Sequence, residues 1–237
     1  NYVKDRLIVS LISAERNVDF LKDKPYRMLE DLAIFYKVLI SKDGNGTGTI
    51  TVTNNHMEYW GLTEEQLYET AIKNSNVLEP PSIDKLTNVM ADLMKAQGMD
   101  EDIIENQLKE DDVDMYVISN TTKANGASVI VYSDALQQVA ENLSSDLYIL
   151  PSSIHEVLAL PVGNKDVDSL EEMVRCVNQT EVSPTEVLSD NVYKYDAESR
   201  TLSLASAKAE TVKETAVCEP SGYTGTVNKV ARPRHHR

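Results

Sequence analysis

Four residues that could do chemistry stand almost side by side in LPSSIHEVLALP: Ser152, Ser153, His155 and Glu156. A hydroxyl close to an imidazole, with a carboxylate to hold the ring, is the arrangement that activates an oxygen nucleophile. On a strand, however, adjacent side chains point to opposite faces, so His155 and Glu156 cannot both turn inward. Ser and Pro are also ordinary turn residues. The stretch therefore reads first as a turn between two strands and second as a ligand or partner contact. A hydrolase using Ser152–Glu156 is the alternative. A second group, Asn54, His56 and Trp60, falls at a helix start. His56 reads as a capping or surface residue and Trp60 as a closure between two helices, with all three as candidate contacts. His235 and His236 belong to RPRHHR, a plain basic end.

The stretch KDGNGTGTI raises the question of calcium. An EF-hand loop needs Gly at position 6, a β-branched residue at 8 and a bidentate Glu at 12, between two helices. With Gly46 at position 6, position 8 is Gly48 and position 12 is Val52; with Gly48 at position 6, position 12 is Asn54. Neither register supplies the final carboxylate. Asp-Gly and Asn-Gly are strong hairpin signals, so Asp43–Asn54 is expected to hold a turn and no calcium. No phosphate-binding, dinucleotide-binding, nucleophile-elbow or zinc-helix motif occurs, and no cofactor is expected. Cys176 and Cys218 lie too far apart to suggest a disulfide framework or a zinc site, which fits a reducing compartment.

The 237 residues carry a formal net charge of −15. Residues 205–237 hold six Lys/Arg against three Asp/Glu, which leaves the rest more acidic still. Such a body repels nucleic-acid phosphates and anionic membranes, so neither is expected as a partner. No apolar run approaches the roughly 18 residues of a membrane span. A cytoplasmic location is expected, and a start at Asn1 rather than Met reads as a fragment or a processed chain.

These residues need elements to place them. Val3, Leu7, Ile8, Leu11 and Ile12 predict a helix over 1–22, ended by Pro25. A strand is expected over about 31–40, and TGTITVTN as its hairpin partner. Asn54 or Asn55 should cap a short helix ending at Gly61, and Thr63-Glu64-Glu65-Gln66 is a capping box for the next. Pro80-Pro81 breaks the chain before a helix starting at Ser82. Residues 100–114, with eight acids and one Lys, predict a solvated helix or a linker. Further on, DMYVIS and ASVIVYS read as strands, DALQQVAENL as a helix, DLYILPS and IHEVLALP as strands, and DSLEEMVRCVNQ as a helix. NVYKYD and TLSLA make a terminal hairpin. The division is 1–98, an acidic 99–114, 115–204 and a disordered tail over 205–237. The class is α+β, with antiparallel β-hairpins packed on helices and a suggestion of two related ββα halves.

Five blocks, RLIVSLISAERN, MLEDLAIFYKVLI, WGLTEEQLYETAIKN, DLYILPSSIHEVLALP and MVRCVNQTEVSPTEVLSDNVYKYD, occur in an order that resembles a bacterial family of unknown function from gut anaerobes. The resemblance covers about residues 4–196 and implies a bacterial cytoplasmic protein. It carries over no catalytic residue. The expected function is accordingly a non-catalytic interaction or accessory protein with an unknown protein partner.

Overall fold

The run Leu7–Ser13, read from sequence as part of a helix, forms a strand, β1, in the computed structural model, which describes residues 2–43, 46–110, 114–151, 153–163 and 166–206. The error has a physical cause. Both faces of β1 are buried, and a strand covered on both sides has no polar alternation to separate it from a helix. Among the described residues a short 3-10 turn at Lys4–Arg6 precedes it, and a one-turn helix α1 (Val18–Leu21) follows.

Next come β2 (Tyr26–Leu29), β3 (Leu32–Asp43) and β4 (Gly46–Thr51). The long β3 pairs antiparallel with β1 along one edge and with β2 and β4 along the other. A register shift between Leu39 and Ser41 marks a bulge in β3. Asp43 pairs with Gly46, so the stretch that imitates a calcium loop joins two strands of a hairpin. At the other turn, Glu30 takes a φ of 52°, as a two-residue connection requires of one of its residues.

The helices α2 (Asn54–Trp60) and α3 (Glu64–Leu78) pack beside this sheet. The expected capping box at Thr63 and Gln66 is present, whereas α2 is capped by Thr53 rather than by either Asn. Leu67, Ala71 and Ser75, four residues apart, form the buried stripe of α3. The Ser75 hydroxyl accepts a hydrogen bond from the Val9 N–H at 2.9 Å. That contact closes the outer edge of β1.

The second sheet takes its strands from the rest of the chain. β5 (Pro81–Lys85) replaces the helix start expected at Ser82, because Pro, with no N–H to give, suits the first residue of an edge strand. The helices α4 (Leu86–Ala96) and α5 (Glu101–Glu110) then lead to β6 (Tyr116–Asn120). ASVIVYS is helical, not a strand: a 3-10 turn at Gly126–Ser128 runs into α6 (Val129–Tyr132). Its β-branched composition is overridden by packing, since Val129 and Tyr132, three apart, are both buried. The suggestion of two related ββα halves loses its second strand there. α7 (Ala135–Leu143), β7 (Leu147–Leu150), β8 (Val157–Pro161), α8 (Val167–Thr180), β9 (Tyr193–Asp196) and β10 (Thr201–Leu204) complete the order. The sheet runs β10-β9-β7-β8-β6-β5, antiparallel throughout.

One core joins the two sheets: Leu7, Val9 and Tyr36 from the first meet Ile118, Leu147 and Ile149 from the second, with Leu67 of α3 and Val139 of α7 among them. α8 covers the far face of the second sheet through Leu170 and Val174, and α1 covers that of the first through Leu21. The fold is α+β, and residues 1–207 form one compact unit. Among the described residues no helix is long and apolar enough to cross a membrane. The expected tail lies outside the described residues from 207 onward.

Candidate functional site

The turn between β7 and β8 holds Ser153, His155 and Glu156, while Ser152 lies outside the described residues. The Ser153 hydroxyl accepts from the His155 N–H at 3.0 Å, and the Ser153 N–H donates to the Glu156 carbonyl at 3.3 Å. His155 Nδ1 accepts from the Asn125 N–H at 3.2 Å, and its Nε2 lies 3.4 Å from Glu186 Oε1. Acceptance at Nδ1 places the ring proton on Nε2, toward the carboxylate. Both ring nitrogens are thus engaged, and no described hydroxyl is the partner of either.

The turn is held from behind as well. Ser119 Oγ donates to the His155 carbonyl at 2.7 Å, and the Ala127 N–H donates to the Ile154 carbonyl at 3.2 Å. Between these contacts sits Gly126, where an added Cβ would lie 2.1 Å from Ser119 Oγ and 2.5 Å from the His155 carbonyl. Only a residue without a side chain admits so close an approach. The arrangement clamps two loops together.

The second group is also locally occupied. His56 is the third residue of α2; its N–H donates to Thr53 Oγ1 at 3.3 Å and its Nδ1 accepts the Thr53 N–H at 3.2 Å. The ring does the work that Glu or Gln does in an ordinary capping box. It also stacks on Trp60, with centroids 5.4 Å apart and an interplanar angle of 12°. Trp60 is half-buried against the main core. No hydrogen bond, ion pair or ring contact among the described residues joins Asn54, His56 and Trp60 to the Ser153–Glu156 turn.

Asn54 belongs elsewhere. Its N–H donates to the Asp23 carbonyl at 2.9 Å, and it lines a groove of about 560 Å³ with Ala14, Leu21, Lys22, Tyr26 and Met28. This groove separates α1 from β2. Around it Val18 is 57% exposed, Tyr26 43% and Met28 51%, an unusual concentration of solvent-facing apolar side chains on one face. Among the described residues β2 has a neighbour, β3, on one side only. In its register Leu29 faces Leu32 and Arg27 faces Ile34. Those are the bonded pairs of a two-residue hairpin, so the backbone N–H and C=O groups of Tyr26 and Met28 point away from the sheet. They take no partner among the described residues. The groove's two lysines are paired, Lys22 with Asp19 and Lys24 with Asp23, both at 2.6 Å, and Glu15 adds a carboxylate to the lining. Sequence reasoning missed this face because α1 was read as the end of one long helix. The available signal was the Tyr26, Met28 alternation before a turn.

Three polar groups elsewhere in the fold, Tyr36 and Glu79 buried and Lys37 half-buried, are perturbed by their surroundings. The Tyr36 hydroxyl donates to Glu64, which also pairs with Arg27 at 2.8 Å. Burial, with Glu64 beside it, raises the Tyr36 hydroxyl far above its ordinary range. Glu79, at the end of α3, accepts from Asn120 Nδ2 at 2.8 Å, and burial raises its carboxyl above the usual range. Burial lowers Lys37 on β3. Among the described residues no group of three or more His, Cys, Asp and Glu could hold a metal ion.

Residues 1–197 match a family of unknown function, DUF5688, and the chain belongs to that family. Comparison with curated proteins and with solved structures finds no match to either.

Proposed function

We propose that this chain is a non-catalytic interaction protein, bacterial and cytoplasmic, that receives an extended segment of another protein at the α1–β2 face. The observation that carries the reading is the outer edge of β2, unpaired among the described residues, beside the exposed side chains of Val18, Tyr26 and Met28. An open edge supplies backbone donors and acceptors to an added strand, and a groove for alternate side chains supplies selectivity. The alternative, a hydrolase centred on Ser152–Glu156, requires a hydroxyl at the imidazole. His155 instead meets a backbone N–H and a carboxylate. The cytoplasmic location is supported by the half-exposed free thiol of Cys176, and the hairpin at Asp43 supports a chain that takes no calcium there.

Photocrosslinking tests the reading. A benzophenone side chain at position 26 should give a discrete adduct in extract of the native host, and Met28→Asp should abolish it. The same group at position 59, where Tyr59 is 89% exposed, serves as the control. Equal adducts at both positions, or none at 26, would overturn the proposal.

A further inference from the structure

The α4–α5 arm is built differently from α3, α7 and α8, each of which buries a stripe of side chains in the core. α4 carries Leu86, Val89, Met90, Leu93 and Met94 at helical spacing, yet none of its residues is buried. Leu86 packs at the root of the arm, while Leu93 is 58% exposed and Ile103 of α5 is 52% exposed. Helices of this length are marginal alone and normally gain their stability by burying one face. Here the main packing of α4 on the body is against the strands at the root, β5 and β6, and its other substantial neighbour is α5. The arm therefore keeps an apolar surface that the rest of the fold does not use.

Between the two helices lies a groove of about 550 Å³. Its apolar floor is Ala91, Ile104 and Leu108, and its walls include Lys95, Glu101 and Glu105. Lys95 pairs with Glu101 at 3.0 Å, which ties the two helices together near their turn. Over residues 86–108 there are five carboxylates (Asp92, Asp100, Glu101, Asp102 and Glu105) against one lysine, Lys95.

We infer that the α4–α5 arm is a second docking site, independent of the α1–β2 face, and that it takes a basic amphipathic helix. Charge complementarity selects the occupant. A second copy of this chain would bring two acidic arms together, and an acidic peptide or a nucleic acid would meet the same repulsion. A partner with Lys or Arg on its flanks and aliphatic residues on its face satisfies both parts of the surface. A helix fits better than a strand, because two antiparallel helices offer a groove for a third and present no open strand edge. Met90, Met94 and Met99 lie along the same arm, and thioether side chains adapt to partners of differing shape.

The test uses the whole chain and three synthetic peptides, with binding followed by fluorescence anisotropy. One is a lysine–leucine amphipathic helix, the second has the same composition in scrambled order, and the third replaces every lysine with glutamate. The amphipathic basic peptide should bind at least about tenfold more tightly than the scrambled one and weaken as salt rises. The glutamate peptide should not bind. Ala91→Arg, which fills the groove floor with a cation, should weaken binding by about tenfold or more. Glu101→Gln combined with Glu105→Gln should weaken it without filling the groove, with circular dichroism confirming that both variants stay folded. Met28→Asp, at the other face, should leave it unchanged. Equal binding of the scrambled peptide would reduce the site to non-specific charge, and binding indifferent to Ala91→Arg or absent altogether would overturn the inference.

Discussion

The Tyr193 hydroxyl donates to the Asp31 carboxylate at 2.5 Å, across 162 positions of sequence. The same carboxylate accepts from Ser189 Oγ at 2.6 Å and from Asn191 Nδ2 at 3.1 Å. One acid in the β2–β3 turn thus gathers three donors from the segment that leads into β9. Arg16 joins beside it through a 2.8 Å contact with Asp190. Burial, with Asp31 next to it, raises the Tyr193 hydroxyl far above its ordinary range.

Tyr193→Phe removes one of those donors while keeping the ring in the core. The expected loss is about 1–3 kcal/mol, the usual cost of leaving a charged acceptor short of a buried partner. Urea denaturation reads it directly. An unchanged midpoint with an unchanged slope would show that the Asp31 contacts contribute nothing to stability.

Gly126→Ala should be more damaging than its size suggests. The new Cβ would overlap Ser119 Oγ, the His155 carbonyl and the Asn120 N–H together, and two of those atoms are backbone. A cost of about 3 kcal/mol is expected, with the β7–β8 turn the first region to lose amide-exchange protection. Wild-type stability in this variant would mean that the two loops can separate freely.

His56→Ala should cost about 1 kcal/mol, by breaking one half of the capping box on α2. The chain's one tryptophan reports the same change, because the imidazole stacked on Trp60 leaves with it. Trp60→Ala should cost about 2 kcal/mol, less than a fully buried indole, since the ring is only half-buried. Tryptophan fluorescence that ignores His56→Ala would disprove the stacked pair.

How legible the molecule was in its sequence depended on how each segment is solvated. Thr63 through Gln66 announced a helix start because capping is a local interaction, and DSLEEMVRCVNQ showed one apolar and one charged face. The terminal hairpin was equally plain. β1 was illegible because burial on both sides erased its alternation, and α6 because Val129-Ile130-Val131 favours a strand until Gly126 pins the preceding turn. His56 is readable as a capping or surface residue, but the N-cap of α2 is Thr53 and not the Asn54 or Asn55 that the sequence suggests. The partners of His155, Asn125 and Glu186, lie 30 and 31 residues away and leave no local trace. The Val18, Tyr26 and Met28 surface needed the fold to bring it together.

Glu79 gives a pH dependence of definite sign. Burial raises its carboxyl, against the opposing pull of Lys42, Lys37 and the Asn120 hydrogen bond. The native state therefore holds this proton more tightly than the unfolded chain does. Its contribution is present below the ordinary carboxyl range and is lost as pH rises through the native value. Glu79→Gln should accordingly be more stable than wild type at neutral pH, and the two should converge as pH falls below the ordinary carboxyl range, read by urea denaturation at several pH values. A variant less stable than wild type at neutral pH would mean that the lysines, not burial, decide the sign.

Lys85 of β5 and Tyr116 of β6 are paired neighbours, so the chain leaves the second sheet and returns to it at a single rung of the ladder. The whole α4–α5 arm is a detour between two points that the sheet already holds about 5 Å apart. Shortening or lengthening it changes loop-closure entropy only slowly and leaves the register on either side untouched. A short turn grafted between Lys85 and Tyr116 would remove recognition by the arm while preserving the rest of the architecture.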